Sequence, residues 1–402
     1  MEKIRGFLKR KNVVFSAKRY FIDGMSAMAQ GLFCTLLVGT ILNTIGQQFH
    51  IGFLNAMVVT IGKVTTNDPA AVALPDFLKY VFSGTITQVT GPNEVSIGYT
   101  IGGLCSAMVG PAMAVAIGSA LQAPPMVLFS LIGVGFATNA MGGAGGPLAV
   151  FFVAIIAAEI GKLVSKETKI DILVTPIVTT LAGIGIAALI AAPIGAAANA
   201  VGRFIMWATE LQPFLMGILV SVAVGMALTL PISSAAICAA LGLTGLAGGA
   251  AVAGCCAQMV GFAVMSFGEN RWGGLAAQGI GTSMLQMPNI LRNPRTWIPP
   301  TLASAITGPI ATCLFRLQMN GAPVSSGMGT CGLVGQIGVW TGWTNPSEAA
   351  LAHGAAAISP TAMDWIGLVL ISFVLPAVLT WLIALPLRKL GWIKDGDLDL
   401  HL

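Results

Sequence analysis

The feature that most limits what this chain can fold into is the length of its charge-free stretches. Residues 95–158 contain no Asp, Glu, Lys or Arg, and neither do residues 211–268 or 24–62. Shorter gaps of the same kind lie at 172–202, 296–315, 317–347 and 365–387. A helix that crosses a bilayer needs about 20 predominantly apolar residues. Charged residues make up 9% of the chain, against about 25% in soluble domains. The pattern predicts an all-α integral membrane protein with roughly ten transmembrane helices and re-entrant hairpins.

The few charges orient it. The first twenty residues hold Lys3, Arg5, Lys9, Arg10, Lys11, Lys18 and Arg19 against Glu2 alone. Excess Lys and Arg beside short membrane segments marks the cytoplasmic side. Residues 1–24, with Phe7, Leu8, Phe15 and Tyr20 among the cations, read as an amphipathic segment on the cytoplasmic leaflet of the cell membrane. Lys162, Lys166 and Lys169 mark a second cytoplasmic loop, and Arg388, Lys389 and Lys394 a third. Both termini are then cytoplasmic, with an even number of complete spans between them. A basic arm for nucleic acid is a poor account of a chain that is 55% hydrophobic.

Other chemistries find little support. Cysteines 34, 105, 238, 255, 256, 313 and 331 show no C-x-x-C spacing and no accompanying His cluster, so neither zinc nor a disulfide framework is indicated. Paired carboxylates and a Ser/His/Asp set are missing from the pattern, so no catalytic residue, metal or cofactor is expected. The GGAGG run at 142–146 lacks the Lys-Ser/Thr of a phosphate loop and reads as a helix break.

In chain order, the amphipathic segment 1–24 leads into a first membrane half at 25–202. The stretch Lys63–Asn93 is too polar to span and belongs at the surface or in a vestibule. A long span at 172–201 carries Pro176 and Pro193. Residues 203–212, with Trp207 at headgroup depth, form an interfacial linker. A second membrane half covers 213–388, and residues 389–402 form a cytoplasmic tail too short for a further domain. No cleavable signal peptide is expected, because the first apolar run follows a long basic segment.

Function is sought between Gly268 and Trp343, where glycine, proline, amides, two arginines and a carboxylate interrupt apolar sequence. Broken backbone at membrane depth is tolerated where protein or a water-filled cavity satisfies it, and transporters build solute sites near the midplane in this way. Glu269 is the only acid between Glu210 and Glu348, and an ionisable group in such a place is a functional candidate. Its structural alternative is an ion pair with Arg271 at the membrane boundary. Asn270, Gln278, Gln286 and Asn289 follow, and amides beside a carboxylate suit hydrogen bonding to a small polar solute. Asn293 opens the Asn-Pro turn of LRNPRTWIPP. Arg292 and Arg295 either face an anionic group or anchor the interface, and both readings stay open. Gln336, in SSGMGTCGLVGQ, either contacts the solute from a second hairpin or lies on a tightly packed glycine helix. His353 is a lone membrane histidine, more often packed than functional.

With NPRTWIPPTLASAITGPI and NGAPVSSGMGTCGLVGQIGVW in view, the chain resembles the EIIC membrane components of the bacterial phosphotransferase system, and more narrowly the EIIC-like family that includes PfoR-type regulators. Glu269, Asn293, Pro294, Ile298 and Pro299 stand where sugar EIIC proteins carry a Glu-bearing re-entrant loop, Asn-Pro and Ile-Pro. The resemblance implies the EIIC-like transporter fold. It also implies a homodimer, with the first half as its dimerisation scaffold, and sugar moved by alternating access and phosphorylated by a separate EIIB. Two departures stand out. The Gly-x-His-Gly element of sugar EIIC chains is replaced by Leu230-Pro231-Ile232-Ser233-Ser234, and the acidic loop is reduced to Gly268-Glu269-Asn270. The alternatives are a membrane-embedded sensor or regulator without net transport, and an ion-coupled carrier of a non-sugar solute.

Overall fold

Long apolar runs cannot leave backbone polar groups unpaired in lipid, and helix is the local solution. The computed structural model describes residues 2–65, 85–91 and 94–400. Among these, five apolar helical stretches, with Pro125–Val164 counted as one, are long enough to cross a membrane, or up to six if a bent pair is one span. The chain divides into two units, Met1–Gly195 and Ala196–Leu402.

The first unit begins with α1 (Glu2–Arg10), which is held down by charge. Arg10 Nη2 lies 2.8 Å from Glu167 Oε1, and Lys11 pairs with the same carboxylate and donates to the Ser165 carbonyl. An apolar helix α2 runs Lys18–Asn43. Next, α3 (Ile101–Ala107) and α4 (Val109–Ala120) meet at 49°. Thr100 caps α3 by accepting from the Gly103 N–H, which satisfies one orphan donor of the first turn.

Then α5 (Pro125–Gly142) and α6 (Gly146–Val164) fold back on each other around the GGAGG break. Gly143 turns the chain at φ 51°, and a Cβ on Gly161 would stand 2.8 Å from Val127, near the opposite end of the hairpin. Lys162 does not lie in a surface loop. It is 1% exposed on α6, its Nζ 2.9 Å from Glu159 Oε2 and donating to the Leu121 carbonyl at 3.0 Å. Its partner carboxylate sits one helical turn away, so the pair can be buried together.

The first unit also contains a sheet, which a purely helical reading does not anticipate. Strands β1 (Val59–Thr65), β2 (Thr85–Gly91) and β3 (Glu94–Tyr99) form an antiparallel sheet in the order β1-β3-β2. Tyr99 of the central strand pairs with Val59 on one side and Thr85 on the other. VTIGKVT and TITQVTG are rich in β-branched residues, which suit a half-buried pleated surface. The rest of the polar stretch expected in a vestibule, 66–84 and 92–93, lies outside the described residues.

Helix α7 (Asp171–Thr209) is 39 residues long, includes Pro176 and Pro193, and continues through Arg203–Thr209 of the expected linker. In the second unit it is followed by α8 (Pro213–Thr229), α9 (Ser234–Ala240), α10 (Gly245–Met265), α11 (Phe267–Ala276), α12 (Met287–Arg292), α13 (Ile298–Pro309), α14 (Val334–Thr344) and α15 (Ala362–Lys389). The unit is built around α10, which is 94% buried. Its sequence GLAGGAAVAGCCAQMVGFAVM explains why: small residues let neighbouring backbones come close. A Cβ on Gly254 would lie 1.9 Å from the Ser221 carbonyl of α8, and one on Gly308 of α13 only 2.0 Å from the Gly217 carbonyl. Val252, Cys256, Met319, Trp343, Leu368 and Ile371 close one side of this core.

Candidate functional site

The expected site residues fall where α10 ends. Ser266 breaks the helix, α11 restarts at Phe267, and Arg271 kinks it with φ 51° and ψ −150°. The kink turns the Arg271 side chain outward, and it makes no ion pair with Glu269. That carboxylate pairs instead with Arg388 in the last turn of α15. Arg388 Nη2 stands 3.2 Å from Glu269 Oε1 and 2.9 Å from the Met265 carbonyl, while Nη1 reaches Asp395 Oδ1 at 3.2 Å. The Glu269 side chain is 10% exposed, and its Oε2 is buried without a hydrogen-bond partner. Met265, Phe267, Gly268, Leu275, Trp381 and Arg388 line a cavity of about 400 Å³, whose wall includes the neighbours of Glu269, Gly268 and Arg388, and not Glu269 itself.

The expected amides form a connected row, and the C-terminal tail lies along it. Gln278 donates to Ser266 Oγ at 2.8 Å and accepts from Gln286 Nε2 at 2.9 Å. Gln286 accepts in turn from Asn289 Nδ2 at 2.8 Å. Three of these residues hold tail carbonyls: Asn270 and Gln286 donate to Leu398, at 2.7 and 3.0 Å, and Asn289 to Asp399 at 2.8 Å. The Leu400 N–H returns a bond to Asn270 Oδ1 at 2.9 Å. Asn293 spans the other end, donating to the Trp392 carbonyl and to Asp397 Oδ2, both at 2.8 Å. Its Oδ1 caps the Pro294 turn by accepting from the Arg295 N–H. Ile393, Leu398 and Leu400 of the tail are buried.

The two arginines of the LRNPR turn face this arrangement. Arg292 Nη1 lies 3.4 Å from Asn289 Oδ1, and the Arg295 guanidinium stacks 5.0 Å from the centre of the Trp392 ring. Gln336 is apart from the row. It sits on α14 and donates to Cys256 Sγ at 3.2 Å, while its Oε1 is buried and unpartnered.

Sequence reading missed two elements of this region. One is Arg388, taken there as a mark of topology rather than as the partner of Glu269. The other is a buried hub on α10: Gln258 accepts from Thr229 Oγ1 at 3.2 Å and Trp297 Nε1 at 2.9 Å and donates to Thr301 and Ser304. A glutamine inside GCCAQMVGF is the only amide in an otherwise apolar helix, and that isolation was the available signal.

Apolar helices of this length and composition, interrupted by a polar region, are those of a multi-pass membrane protein. The profile of the phosphotransferase system EIIC family matches residues 70–400, and the chain belongs to that family. No curated protein and no solved structure matches the chain. EIIC domains are membrane transporter components.

Proposed function

We propose that this chain is the membrane permease of a phosphotransferase system, moving a small polar solute, foremost a sugar, across the cytoplasmic membrane. The observation that carries the reading is Glu269. One oxygen is held by Arg388 and the other is buried without a partner, behind Gly268 and Arg388 in the wall of a cavity of about 400 Å³. A buried acceptor without a donor is costly, and a solute hydroxyl supplies that donor once movement of Arg388 opens Oε2 to the cavity. Arg388 keeps the carboxylate oriented, and Trp381 in the cavity wall offers an apolar face to a sugar ring.

Asn270, Gln278, Gln286, Asn289 and Asn293 extend the site. In the tail-docked arrangement Asn270, Gln286, Asn289 and Asn293 give N–H groups to carbonyls of Trp392, Leu398 and Asp399, while Gln278 donates to Ser266 Oγ and the Gly274 carbonyl. A carbonyl and a hydroxyl oxygen accept the same hydrogen bond, so the tail stands in for solute along the row. Solute reaches these amides when the tail lifts. Gln336 would contribute from a second hairpin through its free Oε1. Arg271, Arg292 and Arg295 would meet the phosphate-bearing EIIB partner on the cytoplasmic side. Alternating access, re-entrant hairpins and a homodimer built on the first membrane half complete the reading, with both termini in the cytoplasm.

Thermal unfolding of the purified protein with a panel of sugars, polyols and organic acids tests it, wild type beside Glu269→Gln. A ligand that binds only the native state raises its apparent stability. A sugar that stabilises the wild type and not the variant supports both site and substrate class. Stabilisation by another solute class alone removes the sugar, and identical behaviour of wild type and variant removes Glu269.

A further inference from the structure

The C-terminal tail is fastened to the amide row, yet the helix it leaves does not need it. α15 closes on its own Schellman motif. Gly391 stands at φ 70° and donates its N–H to the Arg388 carbonyl at 3.0 Å, and the Trp392 N–H bonds the Leu387 carbonyl at 2.9 Å. Residues up to Trp392 therefore satisfy the helix end, whether or not the chain beyond them is docked. That outer segment turns on itself. Asp397 donates its N–H to the Lys394 carbonyl at 3.1 Å, its Oδ2 accepts from the Lys394 N–H at 2.8 Å, and Gly396 carries the turn at φ 90°. Lys394, Asp395 and Gly396 are exposed.

The segment is held the way a peptide ligand is held. Asn270, Gln286 and Asn289 donate to main-chain carbonyls of Leu398 and Asp399, and Asn270 accepts the Leu400 N–H. Asn293 adds a side-chain contact, with the Asp397 carboxylate. Ile393, Leu398 and Leu400 are buried. Main-chain bonds supply affinity without regard to sequence, and buried side chains at fixed positions supply selectivity. A small polar solute accounts for the amides but not for the places that bury Leu398 and Leu400.

We infer that the row from Asn270 to Asn293 is a peptide-binding groove and that residues 393–400 are its tethered ligand. A free peptide of the same acidic, leucine-bearing chemistry binds there when the tethered segment is out. This rests on the permease reading above and deepens it: the tail is then a built-in inhibitor, and solute reaches the row only in the fraction of molecules whose groove is empty.

Competition between tethered and free ligand, in the full-length chain, tests the inference. Gly396→Val places a β-branched residue at φ 90° where its Cβ meets open space, so it strains the tail turn and touches nothing in the groove. Leu398→Ser combined with Leu400→Ser removes two buried anchors instead. A fluorescein-labelled synthetic peptide of residues 391–402 is titrated against each purified protein and followed by anisotropy. A tethered segment acts at an effective concentration on the order of millimolar. A groove filled in about nine molecules of ten weakens apparent affinity about tenfold, so the wild type should bind the peptide at least that much more weakly than either variant. Asn289→Leu added to Gly396→Val should weaken binding again, and a peptide carrying Leu398→Ser and Leu400→Ser should not bind.

Equal binding to the wild type and both variants overturns the inference, as does binding to none of them. Loss of the whole fold in both variants overturns it as well, because a replaceable ligand is not required for folding. The permease reading is scored separately, by thermal unfolding with the same panel of sugars, polyols and organic acids. Stabilisation of the variants at about tenfold lower solute concentration than the wild type, reversed by the peptide, supports the tail as inhibitor. Identical solute response in wild type and variants keeps the permease reading and overturns the inhibition. Peptide binding with no solute response in any protein keeps the groove and removes the permease reading.

Discussion

Arg388 holds the buried carboxylate of Glu269 from 3.2 Å with one guanidinium nitrogen and reaches Asp395 of the tail, also at 3.2 Å, with the other. The two acids differ sharply in setting: the Glu269 side chain is 10% exposed and that of Asp395 fully so. The inner pair is therefore the energetic one, and the outer pair is screened by water. Removing the arginine strands a buried charge, which costs more than the pair itself contributes. Arg388→Met should lower unfolding stability by about 3 kcal/mol, the low end of the range for buried pairs because Arg388 keeps some solvent contact. Adding Glu269→Gln to that variant should restore most of the loss. Denaturant unfolding of the two single variants and the double variant reads the coupling directly; additive losses would mean that the pair is not buried in the working protein.

The tail is held by three aliphatic anchors and by side-chain amides that grip its backbone. Leu398 is fully buried and contributes its carbonyl to both Asn270 and Gln286. Truncating a buried leucine costs about 2–5 kcal/mol. For a short segment at the chain end this appears as undocking rather than global unfolding. Leu398→Ala should therefore speed hydrogen exchange at the Leu400 amide, now bound to Asn270 Oδ1, and leave exchange within α10 unchanged. Equal acceleration in both would show that the tail is an integral part of the core.

A pH dependence is expected at the other end of the chain. Hydrogen bonding from the Lys11 ammonium, with Arg10 alongside, holds the Glu167 carboxyl below its ordinary value, against a smaller opposing effect of desolvation. A carboxylate with a depressed folded-state pKa stabilises above its unfolded value, and the stabilisation is lost as pH falls through the folded value. Docking of α1 on the Ser165–Ile170 loop should thus be complete at neutral pH and weaken only in acid below the usual carboxylate range. Hydrogen exchange of residues 2–13 across that range, corrected for intrinsic rates, measures it. Glu167→Gln should reproduce the released state at neutral pH, with faster tryptic cleavage after Arg10 and Lys11.

Charge placement made the membrane character legible, and local chemistry made many of the breaks legible. Asn293 does cap the Pro294 turn, and GGAGG does separate two helices. Other features escaped because their determinants are distant or because charge was the chosen signal. The partners of Gln286 and Asn289 lie 112 and 110 residues away, in a tail whose Leu-Asp alternation says only that one face is buried. Lys162 was read as a surface charge, although Glu159 one turn earlier was the clue that the two could be buried together. The strands 59–65 and 85–91 were passed over because the stretch between them is polar, while their β-branched content pointed to a sheet.

The second unit depends on how closely its central helix approaches its neighbours. Gly254 packs so tightly on α8 that an added Cβ would lie 1.9 Å from the Ser221 carbonyl, a backbone atom that cannot swing aside. Gly254→Ala must push α8 and α10 apart or bend one of them. Overpacking in a tight core costs about 1–3 kcal/mol, and more where only backbone can yield. Gly185, on α7, has open space where a Cβ would go. Gly185→Ala should be neutral or stabilising by up to about 1 kcal/mol, from helix propensity alone. Both variants change the same atoms in an apolar helix, so the difference in their thermal unfolding isolates close backbone packing from glycine content. Should Gly254→Ala unfold at the wild-type temperature, α10 would have room to spare, and the tight seam between α8 and α10 would not be what holds the second unit together.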